Sequence, residues 1–337
     1  MARRRITEQQ KRRIANIQQQ RRERAGKNSQ QVEQQLLDQG LGAEQSGQVI
    51  SNFGQSLVVE SADHSLHRCV SRQNLGAIVC GDRVIWQATQ SGEGVIVAIE
   101  PRRSLLQKPG FGGKLKAMAA NIDQIIIVSA VKPEPRSYLI DRYLVAAENL
   151  PATPVILFNK IDLLDDSNRN TIEQLENQYH DIGYQVIRAS KTSDHGFDQL
   201  DETLKEKTSI MVGLSGVGKS SLIQHLLPDL DIRIGELSAA SGEGTHTTTS
   251  STLYNLPCGG TLIDSPGVRN FGLWNMSSED MLRGFRELHP YIGQCKFSNC
   301  KHESEPGCAI LQALQEHKIS AQRFASLQKM CAEYAED

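Results

Sequence analysis

Gly213-Leu214-Ser215-Gly216-Val217-Gly218-Lys219-Ser220 reads GxxxxGKS, the spacing of a phosphate-binding loop. The run before it, Ser209-Ile210-Met211-Val212, has the apolar character of a short buried strand. The run after it, Ser221 to Leu227, has helical spacing and stops at Pro228. This chemistry needs that strand–loop–helix setting. Glycines let the backbone aim successive N–H groups at phosphate oxygens, and the helix N-terminus adds its dipole. Lys219 is placed to reach the β- and γ-phosphates, and the Ser220 hydroxyl to ligate Mg2+. Ser221 completes the set of phosphate-side candidates.

Upstream, Asn159-Lys160-Ile161-Asp162 directly follows the apolar run Pro154 to Phe158. NKxD at the carboxyl end of a strand is the guanine reader of P-loop GTPases. The Asp162 carboxylate can accept from both N1–H and the exocyclic amine of guanine, a bidentate charge-assisted pair. Adenine offers no such pair of donors, which argues against an ATPase. Asn159 and Lys160 are expected to brace the base and the phosphate loop. Ala189-Ser190-Lys191, after the next strand, suits a contact to the guanine oxygen.

Downstream, Gly260 to Gly267 is an apolar strand running into Asp264-Ser265-Pro266-Gly267. Asp264 is expected to hold Mg2+ through water, and the Gly267 amide to sense the γ-phosphate. Between the two motifs lies Ser241-Gly242-Glu243-Gly244-Thr245-His246-Thr247-Thr248-Thr249, a Gly- and hydroxyl-rich loop of switch I type. Thr248, ahead of Thr247, is the expected Mg2+ ligand. Position 268, after DxPG, is Val268, which cannot orient a water as glutamine does in many GTPases. His246 is the nearest local candidate for that task. The alternative is that a partner completes the site.

The guanine motif precedes the phosphate loop, the reverse of the usual order. Because such a site is a set of loops at one edge of a sheet, cutting and rejoining the chain elsewhere preserves it. The sequence therefore describes a circularly permuted GTPase. Switch II then runs through Val268 to Gly272 straight into the C-terminal segment, so loss of the γ-phosphate is expected to reposition that segment. It holds Cys295-x4-Cys300-x-His302-x5-Cys308. Three thiolates and an imidazole at this spacing match a closed, structural Zn2+ site. Helices near 278–288, 309–316 and 321–334 are expected to pack around it.

Composition adds the N-terminal half. The 337 residues carry a net charge of −2, but residues 1–27 alone hold ten Arg or Lys against Glu8 and Glu23. A basic arm on an acidic body suits docking on nucleic acid. Residues 48–100 hold five short β-type runs separated by turns, which fits a small barrel of the oligonucleotide-binding (OB) type. Phe53, His67, Arg68, Arg72 and Arg83 are its candidate RNA contacts. Residues 102–118 read as a basic linker, and residues 122–212 alternate strand and helix as in a doubly wound sheet. No apolar run reaches membrane-spanning length, and no apolar segment follows the basic N-terminus. The seven cysteines suit a reducing cytoplasm and one local metal site.

Taken in order after NKxD, the phosphate loop, His246-Thr247-Thr248-Thr249, Asp264-Ser265-Pro266-Gly267-Val268-Arg269 and the Cys/His site resemble the ribosome small subunit-dependent GTPase A family over residues 45–337. The resemblance implies a GTPase that binds the small (30S) ribosomal subunit and its rRNA late in maturation, with ribosome-stimulated hydrolysis to GDP followed by release. It also supports His246 in catalysis. The resulting expectation is a multidomain chain. A basic arm (1–45) precedes an OB barrel (46–105), a permuted α/β P-loop GTPase domain (106–274) and a helical zinc-binding domain (275–337), in a cytoplasmic monomer with no membrane contact. A nucleotide-gated RNA-binding checkpoint with little turnover is the competing expectation.

Overall fold

The computed structural model describes residues 40–334 apart from 55, 91–92, 110–114, 194–195, 242–250 and 266–275. His246, Thr247, Thr248 and Gly267, and nearly all of the basic arm, lie outside the described residues. The chain divides into two compact units, residues 1–101 with 234–247, and residues 102–233 with 248–337.

In the first unit, strands Leu41–Asn52 (β1), Leu57–Ser61 (β2), Leu66–Ser71 (β3), Arg83–Thr89 (β4) and Gly94–Ile99 (β5) form a closed barrel. β1 pairs antiparallel with both β2 and β4, β2 with β3, β3 parallel with β5, and β5 with β4. Closure leaves no free sheet edge, and alternating side chains fill the interior. Val49, Leu57, Val59, Cys69, Val84, Trp86 and Ile96, joined by Ile78, make that core. This is the expected OB-like barrel. β1 starts well before Val49, inside the stretch read as arm. Its first half is polar and mostly exposed, so the ladder from Glu44–Gln48 to Arg83–Gln87 defines it, not an apolar pattern.

The second unit opens with Leu105–Pro109 (β6) and Leu115–Ala120 (β7), an antiparallel ribbon where the sequence reads as a linker. Leu106, Ala119 and Ala120 are buried and root it, while Lys108 stands opposite Lys116 toward the tip. Next come Gln124–Ala130 (β8), Thr153–Asn159 (β9), Gln185–Ala189 (β10), Thr208–Val212 (β11), Thr252–Asn255 (β12) and Thr261–Asp264 (β13). Their spatial order is β10-β9-β8-β11-β13-β12, parallel except for antiparallel β12. Every residue of β8 is buried, as expected of a central strand covered on both faces.

Helices Ser137–Glu148 (α1), Arg169–Asp181 (α2), Asp198–Leu204 (α3) and Lys219–Leu226 (α4) alternate with the parallel strands; Leu230–Ser241 (α5) follows in the chain, but from Ile234 on it belongs to the first unit. The next helix, Ser278–Arg283 (α6), opens on a capping box in which Ser277 and Asp280 satisfy each other's backbone N–H. The helix expected over 278–288 ends at Arg283 and gives way to a 3-10 turn at Arg286–Tyr291 that contains Pro290. The backbone turns extended at Phe285 (φ −107°, ψ 100°), and at Gly284 just before it a Cβ would sit 2.6 Å from Val145 Cγ1 of α1. Ala309–Gln315 (α7) and Ala321–Tyr334 (α8) complete the unit. Among the described residues, no helix is long and apolar enough to cross a membrane.

The C-terminal helices are fastened by a buried cation. Arg323 of α8 is 0 % exposed; it donates to Asp141 of α1 at 2.6 Å and to both Glu287 oxygens at 2.7 and 2.9 Å. Tyr179 of α2 donates to the same Asp141 oxygen at 2.8 Å, and the Phe285 ring lies 4.4 Å from the guanidinium. Removing one partner of such a network strands the others without solvation. Arg323→Ala is therefore expected to cost about 3–5 kcal/mol in urea unfolding. Arg283→Ala, which loses only an exposed i,i+4 contact to Glu279, should cost less than about 0.5 kcal/mol.

Candidate functional site

The site forms where parallel strands end. β9 finishes at Asn159, β11 runs into Gly213–Ser220, and β8 lies between them. The two motifs, distant in sequence, are thereby joined directly. Asn159, 4 % exposed, donates from Nδ2 to Val217 O at 2.9 Å. Lys160 donates from Nζ to Gly216 O at 2.7 Å and to Lys132 O at 2.9 Å. The Lys160 backbone is left-handed (φ 59°), which turns the chain sharply out of the strand and into the 3-10 turn Ile161–Leu163. Gly218 has φ +97°, and a Cβ there would meet Asn159 Nδ2 at 2.3 Å. Only glycine fits the contact.

Asp162 is exposed, and its carboxylate accepts from the buried Ser190 Oγ at 2.6 Å. One oxygen is thus oriented while the group stays open to a ligand. Lys191 is exposed beside it. In the phosphate loop, Lys219 Nζ donates to Gly213 O at 2.7 Å and Leu214 O at 2.5 Å, lying back across the loop it belongs to. Ser215, Gly216, Ser220 and Ser221 are exposed, and Val217 is buried beneath them. Asp264 is exposed at the end of β13, the strand paired with β11. These residues share one sheet edge, and their arrangement presents amide donors, an ammonium and hydroxyls on one side and a carboxylate on the other. The carbonyl of Lys132, which helps hold Lys160, has no sequence signature. Lys132 Nζ also pairs with Asp165 at 3.3 Å, and bonds from Ser167 and this lysine keep the Asp165 carboxyl below its ordinary range.

In the barrel unit, Arg68 and Arg83 are exposed, whereas Phe53 and Arg72 are half-buried. His67 is tilted against the Trp86 ring with centroids 4.5 Å apart, so its face is partly occupied.

Cys295, Cys300, His302 and Cys308 bring one ligand atom each within 4.8 Å of one another. Cys295 Sγ lies 3.8 Å from Cys308 Sγ and 3.6 Å from His302 Nδ1, and His302 Nδ1 lies 3.3 Å from Cys308 Sγ. A tetrahedron with metal–sulfur bonds of about 2.3 Å has edges of about 3.8 Å. The donor set therefore fits a four-coordinate soft metal ion. Burial lowers the His302 pKa, favouring the neutral imidazole that can ligate. Cys308 Sγ also accepts from Leu311 N at 3.4 Å, capping α7. Glu305 binds the backbone N–H groups of Lys301, Glu303 and Ser304, which holds its carboxyl near 2 and knits the ligand loop together.

A P-loop and an NKxD loop bonded to each other across a sheet edge, in reversed chain order, define a circularly permuted GTPase. Comparison with known proteins agrees and is more particular. The family model described as RsgA GTPase matches residues 99–274. A Pseudomonas aeruginosa protein named "Small ribosomal subunit biogenesis GTPase RsgA" is 48 % identical over 336 residues, covering 100 % of this chain and 99 % of its own. One of the same name from Hahella chejuensis is 48 % identical over 330 residues, covering 97 % and 95 %. Among solved structures, YjeQ from Thermotoga maritima matches with a TM-score of 0.72 and 33 % identity, over 88 % of this chain and 100 % of that one. YloQ, described as a circularly permuted GTPase, matches with a TM-score of 0.71 and 25 % identity, over 87 % and 96 %. The chain belongs to the RsgA GTPase family.

The metal cluster gives a direct test. The purified chain should carry one metal ion, released by a strong chelator with a fall in melting temperature; Cys300→Ser should release it at far lower chelator concentration. A metal-to-protein ratio near zero by elemental analysis, with no thermal response to chelator, would contradict the fit.

Proposed function

We propose that this GTPase acts in biogenesis of the small ribosomal subunit, binding the subunit with GTP and leaving it after hydrolysis to GDP and phosphate. The observation that carries the reading is the pair of bonds from Asn159 and Lys160 to the phosphate loop, with Asp162 held open beside them. The relatives' names supply the ribosomal partner.

In this reading Asp162 accepts from guanine, with Asn159 and Lys160 bracing the pocket and Ser190 and Lys191 lining its base side. The amides from Gly213 through Leu214, Ser215, Gly216, Val217 and Gly218 to Lys219, Ser220 and Ser221 cradle the phosphates, and Lys219 moves its ammonium onto the β- and γ-oxygens. Mg2+ neutralises charge on the transferring phosphate when bound. Ser220, Thr248 and Asp264 are the residues to hold it, the Gly267 amide meets the γ-phosphate, and His246 orients the attacking water. The roles of Thr248, Gly267 and His246 rest on sequence.

Zn2+ at Cys295, Cys300, His302 and Cys308 is structural, because all four positions are filled by protein ligands. The basic arm and the OB barrel, which begins with β1 at Leu41, contact rRNA. The GTPase domain (106–274) times the contact, and the zinc domain (275–337) completes the docking surface. The protein works as a cytoplasmic monomer.

Two substitutions test the chemistry. Asp162→Asn should weaken GTP binding by about a hundredfold or more and shift preference to xanthosine triphosphate, whose 2-oxo group accepts from the new amide. His246→Ala should leave GTP binding intact and lower turnover stimulated by purified small subunits by about 10²–10⁴-fold. Undiminished stimulated turnover in that variant would remove His246 from catalysis.

A further inference from the structure

We propose that a stacked pair on the surface, Phe197 against His225, is a positioning element that fixes the base-side loop to the phosphate-side helix and so sharpens selection of guanine. The proposal rests on the GTPase reading above and extends it to residues outside the recognition motifs.

A short run of bonds connects the pair to the base reader. Asp162 is held by Ser190 Oγ at 2.6 Å. The Ser190 N–H donates to Gly196 O at 3.0 Å, and the Gly196 N–H donates to Ser193 O at 3.0 Å, so the loop after β10 closes on itself. The next residue, Phe197, stacks on His225 with ring centroids 4.0 Å apart and planes 28° from parallel. His225 is one residue from the end of α4, and α4 begins at Lys219 of the phosphate loop. His225 Nε2 also lies 3.4 Å from Asp201 of α3, the helix that Phe197 precedes.

This stack does not fill the core. The His225 and Asp201 side chains are 37 % and 35 % exposed, while α3 is anchored separately by buried Leu200 and Leu204. Its effect lies in what it joins. One ring belongs to the loop that orients the base-reading carboxylate, and the other to the helix that carries the phosphate-binding lysine. A nucleotide must satisfy both ends at once, and a bidentate carboxylate pair is lost by small misplacement. Freeing the loop should therefore weaken the base contact while leaving the phosphate contacts in place.

Inosine diphosphate lacks the exocyclic amine and makes half of the Asp162 pair, so its binding reports the phosphate side. The test titrates the full chain, with Mg2+, against GDP and inosine diphosphate. His225→Ala is expected to weaken GDP by about tenfold, the scale of one lost aromatic pair, and inosine diphosphate by less, so that the preference narrows. His225→Phe keeps the stack but loses Asp201, and should retain wild-type preference. Phe197→Leu removes the stack from the other side and should reproduce His225→Ala even if that variant folds poorly. General destabilisation would not move the ratio of the two affinities.

An unchanged ratio in Phe197→Leu, or equal loss in His225→Phe and His225→Ala, would overturn the proposal. A wild-type chain that fails to prefer GDP would instead overturn the guanine reading itself.

Discussion

Two side-chain bonds, Asn159 Nδ2 to Val217 O and Lys160 Nζ to Gly216 O, are the constraint on which the nucleotide site depends. They join the loop after β9 to the loop after β11 at a glycine that tolerates no side chain, and they do so independently of chain order. A nucleotide pocket at a sheet edge needs the right loops in the right spatial order. Here β8 stands between β9 and β11, and β13 lies beyond β11, so base, phosphate and Asp264 positions fall in sequence along one edge. Reconnecting the strands elsewhere changes only which loops are covalent, a modest entropic term next to the packing of the sheet. Permutation is therefore compatible with the chemistry because the site is held laterally.

The C-terminal helices are attached on different terms. Arg323 reaches α1 through Asp141 and the 3-10 turn through Glu287, while Arg286 pairs with Glu148 at 2.7 Å and lies over the Tyr184 ring. The junction is dense in polar groups, and burial raises the Tyr184 pKa even with two arginines nearby. Well-packed apolar groups of the same volume are often as stable as such a network, since desolvating charges offsets much of their attraction. What the charges impose is geometry. A bidentate arginine flanked by aromatic rings accepts one register, so α8 has one way to sit on α1.

The legible parts of this structure are those whose chemistry is local. The phosphate loop, NKxD and the Cys/His spacing each place several ligating groups within a few residues, and a parallel strand buried on both faces announces itself as an apolar run. The ribbon of β6 and β7 is hidden because its basic residues dominate the composition while only Leu106, Ala119 and Ala120 root it. The first half of β1 is hidden because partner backbone, not side-chain pattern, makes it a strand. Arg323 reads as one more surface arginine on a helix until Asp141 and Glu287, 182 and 36 residues away, are brought to it. The need for glycine at 284 likewise depends on Val145 of another helix. Apart from the ribbon, each of these features involves a partner far off in the chain.

α1 is the element these arrangements share. The loop before it supplies the Lys132 carbonyl that holds Lys160, and its body carries Asp141 for Arg323 and Val145 for the tight approach of Gly284. Separating α8 from α1 would break the Arg323–Asp141 contact and expose the buried Phe324, Leu327 and Met330 of α8 to water. α1 itself is fixed to the sheet unit: Ile140, Leu144 and Ala147 are buried, and Tyr179 of α2 donates to Asp141 at 2.8 Å. The C-terminal helices are therefore held to the sheet through α1, and the Lys132 carbonyl in the loop before α1 is bonded to Lys160, the residue that also holds the phosphate loop.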